Sequence, residues 1–202
     1  MRLYTIGHST HSVEHFVELL HCHSITAVCD VRSQPYSGYT PQFNRELLER
    51  HLRNANIRYV FLGDQLGARS RNPNHYAQGR VQYSAIATST AFIDGLGRLR
   101  DEIARGTVAI MCSEKDPINC HRAILVCRYL RGAEIEIFHI LGNGTLESGI
   151  KFEERLRLSW NIPAQDLFDD YESLVNRAYD LQAKKIAYSG NLEICSEEEV
   201  DI

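Results

Sequence analysis

No stretch of the 202-residue chain holds the roughly 20 consecutive apolar residues that a membrane-spanning helix needs, so no membrane partner is expected. The opening Met1-Arg2-Leu3-Tyr4-Thr5-Ile6-Gly7 reads as a strand rather than a secretion signal, which makes a cytoplasmic location the expectation. No internal repeat is present. Lysine is missing from residues 32–80, although eight arginines and only three acids lie there. The six cysteines lack any common zinc spacing: eight positions separate Cys112 from Cys120. Without a secretion signal they are read as reduced thiols, ligands or a nucleophile rather than a disulfide framework.

What is present suits one domain with an extension. Hydrophobic residues make up 44% of the chain, enough for a core, and the net charge is -4. The charge is uneven: residues 147–202 carry six bases and thirteen acids, against the arginine-rich 32–80 segment. Arginine suits bidentate contact with phosphate or carboxylate. Four of these arginines (Arg45, Arg50, Arg53, Arg58) sit in or beside one expected helix, so a solvated helix face accounts for them equally well. Cys29 and Cys127 lie in apolar runs and are read as small buried hydrophobes.

Strand and helix patterns alternate. Strands are predicted at Leu3–Ile6, Thr26–Val31, Arg58–Leu62, Val108–Cys112 and Glu134–Ile140, and helices at Val13–Cys22, Phe43–Ala55, Thr88–Arg105 and Pro117–Arg131. Residues 63–82, rich in Gly, Asn and Arg, read as a long loop. The pattern predicts an α/β fold: a doubly wound, mainly parallel five-stranded sheet in a Rossmann-like three-layer arrangement. Residues 1–141 form this domain. Residues 142–202 are read as a helical extension, with helices near Lys151–Trp160 and Ala164–Ala183 and a disordered acidic tail at 196–201.

In such folds ligands bind outside the carboxyl ends of the strands. Those ends are Gly7-His8-Ser9, Asp30-Val31-Arg32, Leu62-Gly63-Asp64, Cys112-Ser113-Glu114 and His139. At the fourth, a thiol leaves the core and the loop turns at Asp116-Pro117, a good helix start. Such a helix would aim free N–H groups at the crevice and stabilise an anion or a thiolate. Cysteine phosphatases and rhodaneses are similar in outline, but their arginine follows the cysteine by six positions. Here Arg122 follows Cys112 by ten, and Glu114 and Asp116 oppose a phosphate, so neither activity is assigned. Cys112, Cys120 and His121 could instead bind a metal. On a continuous helix, however, Cys120 and His121 would point about 100° apart, and no metal is assigned. A third account makes both cysteines core thiols beside a Glu114–Arg122 ion pair. Asp30 and Arg32 share one side of their strand and either grip a ligand or pair with each other. The ordinarily near-neutral pKa of His8 would suit acid–base work. Tyr36, Tyr39 and Phe43 beside Arg45 could stack bases or simply pack.

Thr5-Ile6-Gly7-His8-Ser9, Asp30-Val31-Arg32, Phe43-Asn44, Tyr59 through Gly63, and Cys112-x-Glu114-x-x-Pro117-x-x-Cys120-His121-Arg122 together resemble the domain-of-unknown-function 488 family, in order over residues 1–141. The resemblance implies a bacterial or archaeal intracellular α/β domain and supplies no reaction. It points to His8, Ser9, Asp30, Arg32, Asn44, Cys112, Glu114, Cys120, His121 and Arg122. One departure is Leu66-Gly67-Ala68-Arg69, where members carry a Gly-Gly-Arg-like segment.

The combined expectation is a protein that binds and acts on a phosphate-bearing small molecule or nucleic acid, as a hydrolase or transferase. Cys112, Glu114 and His8 would be catalytic. Ser9, Asp30, Arg32, Asn44, Arg69, Cys120, His121 and Arg122 would bind the ligand. Two alternatives stand beside it: a non-catalytic nucleotide or nucleic-acid sensing module, and a thiol redox or metal-binding protein using Cys112, Cys120 and His121. The sequence names no cofactor and no oligomeric state.

Overall fold

The computed structural model describes residues 1–132 and 134–189. The acidic tail predicted to be disordered lies outside them. In chain order the strands are β1 (Arg2–Gly7), β2 (Ala27–Asp30), β3 (Arg58–Phe61), β4 (Tyr76–Ala77), β5 (Arg80–Val81), β6 (Val108–Cys112), β7 (Glu136–Ile140) and β8 (Leu146–Ser148). The helices are α1 (Val13–Cys22), α2 (Arg45–Asn54), α3 (Gly63–Leu66), α4 (Tyr83–Ala87), α5 (Thr90–Arg105), α6 (Gly149–Ser159) and α7 (Tyr171–Ile186).

The main sheet runs β3-β2-β6-β1-β7-β8. The five expected strands are parallel, and β8 adds a sixth, antiparallel to β7. The predicted count of five is thereby corrected. Three residues after the turn at Gly142-Asn143-Gly144 were too short a run to read as a strand.

The apolar strands are covered on both faces. Phe16, Leu19 and Leu20 of α1 and Leu48 and Leu52 of α2 pack with Tyr4, Ile6, Val28, Ala109 and Met111. On the other face, α5, the 117–130 segment, α6 and α7 pack against Leu3, Cys29, Val108 and Ile110. Cys29 and Cys127 are buried, as expected. Side chains alternate along a strand, so Cys112 falls on the Val108–Ile110 side, and Thr5 on the side of Leu3. The chain leaves β1 and β2 toward one face and β6 toward the other. β6 lies between β2 and β1, so the chain divides on both sides of Cys112, where doubly wound sheets place their ligands.

Several boundaries differ from expectation. Ser12 caps α1 as predicted, its hydroxyl accepting from His15 N at 3.2 Å. The second helix starts at Arg45, after a separate tight turn at Pro41–Phe43. Residues 63–82 are not a bare loop, since they hold α3 and the β4–β5 hairpin. The second C-terminal helix begins at Tyr171, where Asp170 accepts from Ser173 N at 2.7 Å.

The largest correction concerns Pro117–Arg131, predicted as one α-helix. Asp116 accepts from Ile118 N at 3.0 Å and starts only a single tight turn, Pro117–Asn119. Cys120 is then extended, with φ -130° and ψ 135°. Winding resumes at His121 as a wide π-type turn over Arg122–Val126, tightening over Cys127–Leu130. The reason is tertiary: Cys120, His121 and Arg122 each have a partner beneath the loop, and no regular helix aims three consecutive side chains at one region. Wide turns of this type recur at functional sites.

Candidate functional site

Gly7 ends β1 directly beneath the β6 loop. A Cβ there would lie 1.9 Å from the carbonyl oxygen of Glu114, so only glycine lets the strands close. The ladder between them continues past the strand ends, with His8 N donating to Cys112 O at 2.9 Å and Ser9 N to Ser113 O at 2.9 Å.

The break at Cys120 brings three groups together. One donor atom each from Cys112, Cys120 and His121 lies within 4.8 Å of the others. Cys112 Sγ is 3.5 Å from His121 Nδ1. Both thiols donate to the same oxygen of Glu114, at 3.1 Å and 3.0 Å. Glu114 is solvent-exposed while both cysteines are buried, so the carboxylate forms the mouth of the cluster. The other ring nitrogen of His121 donates to Val31 O at 2.9 Å. A carbonyl can only accept, so Nε2 carries a proton, and Nδ1 is the ring atom that faces the sulfurs. The argument from helix geometry against a joint role for Cys120 and His121 is overturned, because Cys120 is not helical.

Arg122 is completely buried. It donates to Glu114 O (Nη1, 2.6 Å), Lys115 O (Nη2, 3.3 Å) and Thr5 Oγ1 (Nε, 3.4 Å). All three acceptors are uncharged, so the Glu114–Arg122 ion pair offered as one alternative is replaced by a bond to the Glu114 backbone. A buried guanidinium needs opposing charge nearby, and the groups facing it are Cys120, Cys112 and Glu114.

Asp30 and Arg32 resolve as a pair. Arg32 donates from Nε and Nη2 to both Asp30 oxygens at 2.7–3.2 Å, and from its backbone N to Asp30 Oδ1 at 3.0 Å. Arg32 Nη2 also donates to Phe43 O at 2.9 Å, and Nη1 lies 3.3 Å from His8 Nε2. Tyr59 donates to Asp30 at 2.7 Å. His8 stacks on Phe43, with centroids 4.4 Å apart.

Burial, with the charge of Arg32 second, lowers the His8 pKa to about 4. The ring is neutral at pH 7, which corrects the near-neutral value expected for acid–base work. Burial raises Cys112 well above an ordinary thiol, and its contact with Cys120 adds to this. Burial also acts to raise Cys120, but the Cys112 hydrogen bond, the Arg122 charge and His121 outweigh it and lower this thiol. Glu114 reaches solvent, but the end of its side chain lies against the thiols, and this partial burial raises its pKa, with the Cys120 charge second. The two thiols titrate as one unit.

The remaining expected residues lie apart. Ser9 takes a left-handed conformation (φ 48°) and its carbonyl oxygen is 2.9 Å from His8 Nδ1. Asn44 caps no helix by its side chain and instead accepts from Ser37 N at 2.7 Å. Arg69 is exposed, donating to Gln34 at 3.0 Å and stacking on Tyr188. Tyr36 and Tyr39 are exposed. Sequence reasoning missed Thr5, Tyr59 and Tyr83, the last a buried phenol raised by burial and by the charges of Cys120, Cys112 and Glu114. Thr5 carried a signal, as the single polar residue within Leu3–Ile6.

The family model described as Domain of unknown function DUF488 matches residues 12–129. The chain belongs to this family. The match contains every residue of the thiol cluster, the Asp30–Arg32 pair, Asn44 and Arg69, and it stops short of His8 and Ser9, narrower than the 1–141 of the resemblance. No curated protein and no solved structure matches the chain. Among the described residues no helix is long and apolar enough to cross a membrane.

Proposed function

We propose that the chain is a metal-binding protein. Its centre takes a soft divalent cation of the zinc type on Cys112, Cys120 and His121, with Glu114 as an exchangeable fourth ligand at the solvent side. The observation that carries this reading is the convergence of the three donor atoms. The Cys112–His121 separation of 3.5 Å is the edge expected when ligands sit about 2.3 Å (sulfur) and 2.0 Å (nitrogen) from one tetrahedral ion. A hydrogen bond from the far ring nitrogen to a carbonyl, as His121 makes with Val31, is the usual support of a metal-bound histidine. Charge also balances. Two thiolates neutralise a divalent cation, and the buried Arg122 then faces Glu114. Three protein ligands and a replaceable fourth is the pattern of catalytic rather than closed structural zinc sites.

The test is titration of untagged, metal-stripped protein with cobalt(II). The expected result is one equivalent bound, with intense tetrahedral visible bands and a thiolate charge-transfer band. Cys112→Ser and His121→Ala should lose these bands, and Cys127→Ser should keep them. A wild-type protein showing only octahedral cobalt sinks the proposal.

A second reading, a phosphate-bearing small molecule or nucleic acid as ligand, is favoured by a different observation. Arg32 and Arg122 are turned inward, but Arg69 and Arg71 line a cleft of about 250 Å3 together with Ser33, Ser70 and His75. Phosphate contacts make affinity fall steeply with salt. Nucleotide or oligonucleotide titrations at several salt concentrations, with Arg71→Ala alongside, test it, and absence of binding at low salt removes it.

A further inference from the structure

We infer that Asp30 is a positioning residue for the metal centre, acting on His121 through the peptide bond between Val31 and Arg32. The inference rests on the metal reading above and names what aims its histidine. The Val31 carbonyl and the Arg32 N–H belong to one peptide unit, which is planar and, like every peptide bond described here, trans. In a trans unit the two groups point in opposite directions, so fixing one fixes the other. The Arg32 N–H donates to Asp30 Oδ1 at 3.0 Å. On the opposite edge, Val31 O receives the Nε2 proton of His121 at 2.9 Å. The carboxylate therefore sets the rotation of the peptide plane, and the plane sets the ring.

The arrangement is a carboxylate–histidine–metal triad with a peptide inserted between carboxylate and ring. In the direct form the carboxylate fixes the tautomer and makes the ring a better ligand. Here the negative charge of Asp30 polarises the amide, and the amide passes that polarisation to its own carbonyl. Asp30 is itself held from three sides, by the Arg32 guanidinium fork, the Tyr59 hydroxyl and the Arg32 N–H. Arg32 is anchored in turn on Phe43 O. The unit is fully buried at Asp30 and nearly so at Arg32, so water does not loosen it. This also explains why two charged residues sit beside the cluster while neither touches the thiols.

The experiment measures zinc affinity by chelator competition and the His121 ring nitrogens by NMR in the zinc-loaded full-length protein. The variants are Asp30→Asn, Tyr59→Phe and His121→Ala. Asp30→Asn should weaken zinc by about 10- to 100-fold, the usual range for loss of an outer partner, and shift the Nε2 resonance. Tyr59→Phe, which removes one bond to Asp30 and keeps the ring, should weaken it by a smaller factor and shift the same resonance in the same direction. Zinc affinity within about 2-fold of wild type in both variants, with unchanged ring resonances, overturns the inference. If Asp30→Asn does not fold, Tyr59→Phe alone decides. Loss of the metal reading itself looks different: wild type then binds no zinc, or His121→Ala binds it as tightly as wild type.

Discussion

Gly7 and Glu114 touch through backbone alone: a Cβ on Gly7 would sit 1.9 Å from the Glu114 carbonyl oxygen and 3.1 Å from Arg122 Nη1. The same carbonyl accepts from Arg122 Nη1 at 2.6 Å. Gly7→Ala therefore strikes strand pairing and loop together. Overpacking a tight core costs about 1–3 kcal/mol, and contact with rigid backbone places this change at the upper end. Urea unfolding should show the loss, and a variant as stable as wild type would mean that β1 and the loop are not held this close.

Arg122→Lys keeps the charge and loses the fork. One ammonium cannot reach Glu114 O, Lys115 O and Thr5 Oγ1 together. Hydrogen bonds from a charged group are worth about 1.5–3 kcal/mol each, so a loss of at least about 2 kcal/mol is expected. Hydrogen exchange should speed up in residues 113–121. Unchanged unfolding midpoints would show that the guanidinium does not organise the loop.

Much of this was legible beforehand. Alternating strand and helix patterns placed all five parallel strands within about two residues, because buried strands read as continuous apolar runs. The same logic brought His8, Asp30, Arg32 and Cys112 to one edge. What was not legible was the course of residues 117–131. Asp116 and Pro117 are strong local helix signals, and local signals do not record that Cys120 must reach Glu114 while Arg122 reaches the 114–115 carbonyls. The partners of Arg32 and Arg122 were hidden for a similar reason: an arginine facing a crevice and one bonded to a carbonyl look alike in a sequence.

Stability should fall in mild acid. His8 and His139 are lowered by burial to about 4 and about 3, against about 6.5 in an unfolded chain. Between these values the unfolded state binds more protons, so stability rises with pH. The contribution is fully present above pH 6.5 and is lost as pH falls through about 4. At about 1.4 kcal/mol per pH unit, His8 alone accounts for roughly 3 kcal/mol. Unfolding free energies at pH 7, 5.5 and 4.5 measure the slope, and His8→Asn should flatten it. An unflattened slope would remove His8 from this account.

Gln182 ties the last helix to the cluster's loop. Its side-chain amide donates to Ile118 O at 2.9 Å and lies 3.3 Å from Asn119 Oδ1, and its oxygen accepts from Trp160 Nε1 at 3.0 Å. Gln182→Ala leaves Ile118 O without this donor, at a cost of about 1–3 kcal/mol. The expected signature is a lower melting temperature with faster exchange around Ile118. Identical exchange there would show that α7 packs on the loop without steadying it.

Strand order has a bearing on how the family is cut and cloned. The stretch that carries the family likeness ends at residue 129 and begins at 12, yet β1 lies hydrogen-bonded between β6 and β7, and both β1 and β7 fall outside it. A fragment trimmed to those limits would keep Cys112, Cys120 and His121 and would leave β6 unpaired on its β1 side. Its chemistry and its foldability are encoded in different stretches of the chain. An inactive or aggregated fragment of this kind would report on the missing strands and say nothing about the cysteines.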